Sequence, residues 1–134
     1  MAAETSGSLP LRGEPDIVSS RQAVRKLVVA LQFSLVDQTK MITAASELSR
    51  NTVVHGGGGT MHWQLLDAGG KRGLRLQFED QGPGIADVNL ALTDGWTSGG
   101  GMGLGLPGSK RLVHEFDVRS TPGAGTCVSI TRWK

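Results

Sequence analysis

A glycine-rich run directly before a helical pattern constrains this chain more than any other feature. Residues 99–108 contain six glycines, and the segment that follows is apolar at helical spacing. A packed core does not require such a run, whereas glycine permits positive φ and lets the backbone approach a ligand closely. A helix N-terminus adds unpaired N–H groups and the positive end of a dipole. Together these features predict a binding site for phosphate groups.

The composition is typical of one globular domain. The chain has 134 residues, 38% of them apolar, which suits one core and leaves no room for a second domain. Its net charge is +2 and its charges are interspersed, so we expect neither nucleic acid nor a membrane as a partner. The single cysteine, Cys127, excludes an internal disulfide. The first residues lack the features of a signal peptide, and we expect a cytoplasmic protein.

The N-terminal half predicts two helices. We expect residues 1–13 to be a flexible tail, because they are small and polar, and residues 14–134 to form one domain. A short strand is expected at residues 16–18. The apolar spacing then predicts a helix from Ser20 to Phe33, and Ser34 and Asp37 are typical of the start of a second helix. The four glycines at 56–59 end it.

The C-terminal half predicts two hairpins. Alternating apolar residues indicate strands at 60–66 and 74–78 around a turn over 67–73. A short helix is expected at 87–92, a third long helix with Leu106, Leu112, Val113 and Phe116 inward, and a final hairpin from 116–119 and 126–133. The pattern predicts an α+β, two-layer sandwich, in which a mixed, mostly antiparallel sheet is covered on one face by about three helices.

Polar residues suited to chemistry occur in separate pieces of the chain. Glu47, Asn51 and His55 are four residues apart, so they lie on one side of the second helix. For His55, a site role and a helix-end role are equally compatible with this position. Asp80 follows a strand and precedes Gly82 and Gly84, which is typical of a carboxylate held where the backbone turns sharply.

Common glycine-rich motifs do not explain this pattern. Residues 103–108 match G-x-G-x-x-G, but no strand directly precedes them and no acidic residue follows at the required distance. The sequence also lacks a P-loop, and its length excludes a two-lobed protein kinase. The remaining interpretation is a nucleotide site assembled from separated pieces.

The ordered pieces resemble the Bergerat-fold ATPases and kinases, which include gyrase B, the heat-shock chaperone and histidine-kinase catalytic domains. Residues 47–51 resemble the N box, 80–85 the G1 box, 101–106 the G2 box, and Gly125 and Thr126 the last nucleotide box. Further matching segments resemble the small anti-sigma-factor serine/threonine kinases. The resemblance covers residues 14–134 and implies a single ATP-binding kinase domain.

The resemblance also implies roles for individual residues. Asn51 would hold Mg²⁺ on the ATP phosphates, and Glu47 would act as the catalytic base or orient it. Asp80 would accept the adenine amino hydrogen, with Thr126 assisting through water. Gly82 and Gly84 would give the adenine room. The full set of implied ATP-binding residues is Asn51, Asp80, Gly82, Gly84, Ile85, Gly101, Met102, Gly103, Leu104, Gly105, Leu106 and Thr126.

The resemblance implies protein partners as well. The kinase would phosphorylate an antagonist protein of the STAS type and, once released, regulate a phosphatase or a sigma factor. One feature departs from the family pattern, because the segment between Asp80 and Gly103 carries no Lys or Arg. Arg50, Lys110 and Arg111 are unranked candidates for the cation at the γ-phosphate. This departure leaves open a nucleotide-dependent binding switch, and an ATPase without a protein acceptor is a third interpretation.

Overall fold

The computed structural model describes residues 5–85 and 106–134 and has an α+β architecture. Five strands form one sheet in the order β1-β2-β3-β5-β4, and every neighbouring pair is antiparallel. The fold class is therefore as predicted, with an antiparallel rather than a mixed sheet over the described residues. In chain order the elements are β1 (Ser6–Leu11), α1 (Glu14–Ala30), α2 (Leu35–Val54), β2 (Gly59–Ala68), β3 (Lys71–Asp80), α3 (Leu106–Arg111), β4 (Glu115–Thr121) and β5 (Gly125–Trp133).

The core lies between the three described helices and one face of the sheet. Strand residues alternate between the two faces, so Leu74, Leu76 and Phe78 of β3 are buried whereas Gln77 and Glu79 are exposed. The helices cover the apolar face of the sheet with their own buried apolar residues. The buried helix residues that join this cluster are Val24, Val28, Met41, Ala44, Ala45, Leu48 and Leu106. None of the described helices has the length and hydropathy needed to cross a membrane.

Strand β1 corrects the expectation of a flexible tail over residues 1–13. Residues 6–11 pair with β2, with Leu9 opposite Met61, and Leu11 is fully buried. The ring of Trp63 lies over Gly7, where a Cβ atom would sit 2.6 Å from the ring. The segment is too short to show a strong pattern by itself, and its order depends on the edge that β2 offers.

Helix α1 begins earlier than its apolar spacing predicted. The expected strand at residues 16–18 is wrong, since these residues lie in the first turns of α1 after Pro15, a residue favoured at that position. Ile17 is buried on the same helical stripe as Val24. The Asp16 carboxylate accepts hydrogen bonds from the backbone N–H and the Nε of Arg12, at 2.8 and 2.9 Å.

The β2–β3 hairpin is longer than expected. Its strands continue to Ala68 and from Lys71, so the turn contains two residues rather than the seven from 67 to 73. Gly69 and Gly70 occupy this turn with φ of 62° and 84°. Positive φ at both central positions is the geometry of a tight hairpin turn that matches the twist of the strands.

Over the described residues α3 runs from Leu106 to Arg111, so the expectation of a third long helix that continues to Phe116 is wrong. The chain turns after Arg111, and Phe116 belongs to β4. Arg132 of β5 explains this end, because its Nη1 donates to the Leu112 carbonyl at 2.8 Å. The same guanidinium forms an ion pair with Asp37 in the first turn of α2, and Arg132 as a residue is only 8% exposed.

The pair between Asp37 and Arg132 predicts a pH-dependent contribution to stability. The hydrogen bond from Arg132 lowers the pKa of Asp37. A lowered folded-state pKa stabilises the fold fully above the pKa of the unfolded aspartate, and this contribution is lost as pH falls through the folded-state value. We expect Asp37→Asn to lower the free energy of unfolding by about 2 kcal/mol at neutral pH, and by much less in acid.

Denaturant unfolding at several pH values measures this difference. Asp67→Asn, at an exposed position of β2, is the control and should change the free energy by less than about 0.5 kcal/mol. An equal loss for Asp37→Asn at neutral and acidic pH would contradict the assignment.

Candidate functional site

A pocket lies where the C-terminal end of β3 and the N-terminal end of β5 meet the C-terminal half of α2. Asp80 ends β3 and pairs directly with Thr126 of β5, so the two side chains are neighbours on the helix-covered face. Six of the residues implied by the resemblance line this pocket. These are Asn51, Asp80, Gly84, Ile85, Leu106 and Thr126, and the other lining residues are Leu48, Thr52, His55, Gly56, Phe78, Pro83 and Val128.

Helix α2 supplies the wall opposite the sheet. The helix starts at a true cap, because Ser34 Oγ accepts from the Asp37 N–H at 3.1 Å as its sequence predicted. Asn51 is half-buried and lines the pocket. His55 caps the C-terminus of α2, where its N–H donates to the Asn51 carbonyl, and it also lines the pocket. His55 therefore lies at the helix end and also lines the pocket, so its position is compatible with both of the roles that the sequence left open.

Glu47 lies one helical turn before Asn51 but is exposed and does not line the pocket. The spacing of four residues puts it on the same side of the helix. The described residues thus have a sheltered amide and an outer carboxylate, aligned along α2.

Asp80 is held by the loop that follows it. Its Oδ1 accepts from the Gly82 N–H at 2.9 Å. The end of α2 packs against the same carboxylate, since a Cβ atom at Gly56 would lie 2.4 Å from Asp80 Cγ. A side chain at this position would force the Asp80 side chain to move. The sequence identified Gly56 as part of a helix end, and its role beside Asp80 became visible only in three dimensions.

The structure gives a reason for glycine at positions 82 and 84 that differs from the one implied by the resemblance, which was room for the adenine. A Cβ atom at Gly82 would meet the Gly56 carbonyl oxygen at 2.7 Å, and one at Gly84 would meet the Thr121 carbonyl oxygen at 2.4 Å. Gly84 also has a φ of 77°. In this structure the lack of a side chain at both positions lets another backbone segment approach closely. Gly84 also lines the pocket.

Ser120 is a residue of this region that the sequence analysis missed. Its hydroxyl donates to the Gly125 carbonyl at 3.1 Å, accepts from the Ile85 N–H at 2.7 Å and lies 2.9 Å from Thr126 Oγ1. The only local signal is its place before the turn of a hairpin, where serine is common.

The apolar part of the pocket consists of Leu48, Phe78, Leu106 and Val128, all of them buried. Of the predicted phosphate loop, Leu106 belongs to this wall. The remaining predicted residues of that loop, Gly101, Met102, Gly103, Leu104 and Gly105, lie outside the described residues, as does the helix expected at 87–92.

The candidate cations are distributed around the outside of this wall. Arg50 and Glu14 form an ion pair at 3.8 Å with both side chains substantially exposed. Lys110 and Arg111 are exposed in the last turn of α3. Within the described part of the chain, no group of three or more His, Cys, Asp or Glu side chains is arranged to hold a metal ion.

Cys127 lies on the opposite face of the sheet, next to Thr126 in sequence. Partial burial, and then the nearby Glu79 carboxylate, raise the pKa of its thiol. A raised pKa disfavours the reactive thiolate.

Comparison with known proteins shows the family to which the chain is related. Residues 36–134 match the family described as histidine kinase-, DNA gyrase B-, and HSP90-like ATPase. The chain belongs to this ATPase family. It is 43% identical over 120 residues to the serine/threonine-protein kinase RsbT of Bacillus subtilis (strain 168), covering 90% of each chain. These similarities confirm the predicted family and its protein-kinase class.

Several further relatives carry the name anti-sigma F factor. The protein from Thermoanaerobacter sp. (strain X514) is 28% identical over 126 residues, covering 86% of this chain and 87% of its own. The one from Pasteuria penetrans is 29% identical over 121 residues, covering 84% and 79%. The predicted similarity of this chain to anti-sigma factors is thus confirmed.

The contact at Gly84 predicts a specific loss of stability. Gly84→Ala adds a Cβ atom against the Thr121 carbonyl oxygen in a residue with positive φ. Gly123→Ala is a matched control, since its φ is 82° and nothing lies within 4 Å of the added atom. We expect the control to cost about 1 kcal/mol from backbone strain, and Gly84→Ala to cost about 1–3 kcal/mol more. Chemical denaturation of both variants tests this, and equal losses would contradict it.

Proposed function

We propose that this chain is an ATP- and Mg²⁺-dependent protein serine/threonine kinase of a partner-switching pathway. The observation that carries the proposal is the pocket itself. It is lined by the cross-strand partners Asp80 and Thr126, by Asn51 of α2 and by buried apolar residues. The 43% identity to a named serine/threonine-protein kinase supports the reaction class. The names of the anti-sigma F factors support the partner-switching context.

The sheet end of the pocket suits the base of ATP. A half-buried carboxylate at Asp80 offers an acceptor to the adenine amino group, and Thr126 lies beside it. The apolar residues provide flat contact area for a ring. The Gly82 N–H already donates to Asp80 Oδ1, so a base without a donor at this place would displace water from the carboxylate without replacing that hydrogen bond, which is costly and favours adenine.

The α2 end of the pocket suits Mg²⁺ and the phosphates. Mg²⁺ prefers oxygen ligands and keeps several waters and substrate phosphates, so it needs only one or two protein ligands. The Asn51 amide oxygen would be that ligand, and the bound ion would neutralise charge on the phosphates during transfer. Glu47, one turn away on the exposed side, would hold or accept the proton of the attacking hydroxyl.

The residues that contact the phosphates would be Gly101, Met102, Gly103, Leu104, Gly105 and Leu106. A row of backbone N–H groups is enough for this task, because phosphoryl transfer needs mainly positioning and charge neutralisation. The cation at the γ-phosphate would be Arg50, Lys110 or Arg111.

The acceptor we propose is a Ser or Thr of an antagonist protein of the STAS type. Phosphorylation would release the kinase, which would then regulate a phosphatase or a sigma factor. The names of the relatives support the kinase reaction and a sigma factor as the second target.

A nucleotide-dependent binding switch with little transfer activity is the second candidate. Two observations favour it. Glu47 is exposed and outside the pocket lining, and residues 81–102 contain no Lys or Arg. In this alternative the nucleotide would change the affinity for a partner without phosphorylating it.

Loss of the metal ligand tests the kinase proposal. We expect Asn51→Ala to reduce transfer of radiolabelled phosphate from ATP to the antagonist by at least about 100-fold, because transition-state charge is left without its counterion. Thr43→Ala, an exposed position of the same helix, should retain wild-type labelling. Labelling that survives in Asn51→Ala would contradict the proposed role of this residue.

Loss of the carboxylate at Glu47 separates the two candidates. If the protein is a kinase, Glu47→Ala should form phosphoprotein about 100-fold more slowly or worse, while pull-down of the antagonist still responds to ATP. If it is a switch, wild type and Glu47→Ala should both show ATP-dependent binding and neither should form phosphoprotein. Phosphosite mapping of the antagonist in both the released and the retained fractions gives the measurement.

A further inference from the structure

Three hydrogen-bonding groups converge on the Ser120 hydroxyl at the edge of the pocket. The Ile85 N–H lies 2.7 Å from its Oγ, the Gly125 carbonyl oxygen 3.1 Å and Thr126 Oγ1 2.9 Å. Two of these partners line the pocket, Ile85 and Thr126. Ser120 itself does not, so its influence on a ligand would act through them.

The positions of the protons in this cluster follow from the chemistry of each group. A serine hydroxyl has one proton to donate and two lone pairs that accept. The Gly125 carbonyl can only accept, so it takes the Ser120 proton, and the Ile85 N–H can only donate, so it takes one lone pair. The Thr126 hydroxyl must therefore donate to the second lone pair. This assignment uses every donor and acceptor of Ser120.

The assignment determines what Thr126 offers to the pocket. Its single proton is directed to Ser120, so only lone pairs remain for a ligand or a bridging water. Asp80, its direct cross-strand partner, is a carboxylate and also accepts only. The polar end of the pocket thus presents acceptors from both strands.

We propose that Ser120 is a positioning residue that determines base specificity by orienting the Thr126 hydroxyl. The inference rests on the proposed function, in that the ligand is a purine nucleotide. A purine with an exocyclic amino group at this place donates to the acceptors. A purine with a carbonyl oxygen there meets lone pairs on both sides and loses its own hydrogen bonds to water, which is unfavourable.

A purely structural role for Ser120 has a different signature. The bonds to Ile85 and Gly125 also hold the loop and hairpin in place, so removing the hydroxyl would loosen the pocket for every ligand alike. The ratio of two affinities separates these roles. It cancels a general loss of binding and retains the preference for an amino group over a carbonyl.

The test is binding of ADP and of inosine diphosphate to the full chain, measured by calorimetry. Inosine has a carbonyl oxygen where adenine has its amino group. We expect wild type to prefer ADP, and Ser120→Ala to reduce that preference about three- to tenfold, because the Thr126 proton is then free to turn toward the carbonyl. Ser129→Ala is the matched control, since Ser129 accepts a hydrogen bond from Gln77 on the other face of the sheet. It should keep the wild-type ratio.

Each outcome has a defined meaning. If Ser120→Ala weakens ADP and inosine diphosphate by the same factor, the role is structural and the inference is wrong while the proposed function stands. If wild type does not bind ADP, the proposed function is wrong and the inference fails with it.

A second variant covers the case in which Ser120→Ala does not fold. Thr126→Val removes the oriented acceptor and should also lower the preference for ADP. An unchanged or increased preference in that variant would overturn the inference, because it would mean that Thr126 donates in the wild type.

Discussion

The close approach of backbone segments around Asp80 is the constraint on which the site depends. The end of α2 reaches the carboxylate at Gly56, and the start of β5 reaches the Asp80 carbonyl at Gly125, where a Cβ atom would lie only 2.1 Å from that oxygen. Gly59 similarly allows β2 to approach Glu79, with a corresponding distance of 1.9 Å. A side chain at any of these three glycine positions would push the neighbouring segments apart. The pocket depends on the absence of a side chain at each of them.

The apolar core sets the pocket against this end of the sheet. Buried residues of α2 share one apolar cluster with buried residues of β3 and β5, and this packing positions Asn51 on the helix relative to Asp80 and Thr126 on the strands. Because protein interiors are close-packed, small changes in this core are transmitted to the site. The ion pair of Asp37 and Arg132 secures the opposite end of α2 and joins it to the turn after α3. The helix is thus held at both ends.

Local patterns predicted most of the fold and several site residues. Alternation of apolar residues indicated the strands from β2 to β5, and helical spacing with the Ser34 cap indicated α2, since both patterns depend on near neighbours in sequence. The same spacing aligned Asn51 with His55. The strand expected at 16–18 and the long turn expected at 67–73 failed on local geometry, because α1 begins around Pro15 and Gly69 and Gly70 form a tight turn. Other predictions failed where a partner distant in sequence decides the structure. Residues 6–11 become a strand through pairing with β2, and α3 is short because the chain turns where Arg132 binds Leu112.

The sequence by itself determined the two-layer architecture, the family and the order of the polar pieces, including Asp80 and Asn51. These depend on residue type and spacing, which the chain carries at every stage of folding. The tertiary structure alone decided which pieces touch. Gly56 has meaning only beside Asp80, and Arg132 only beside Asp37, 95 residues away. Ser120 has meaning only when it meets Ile85, 35 residues away. Contacts of this kind arise from packing of the whole chain, so no local pattern encodes them.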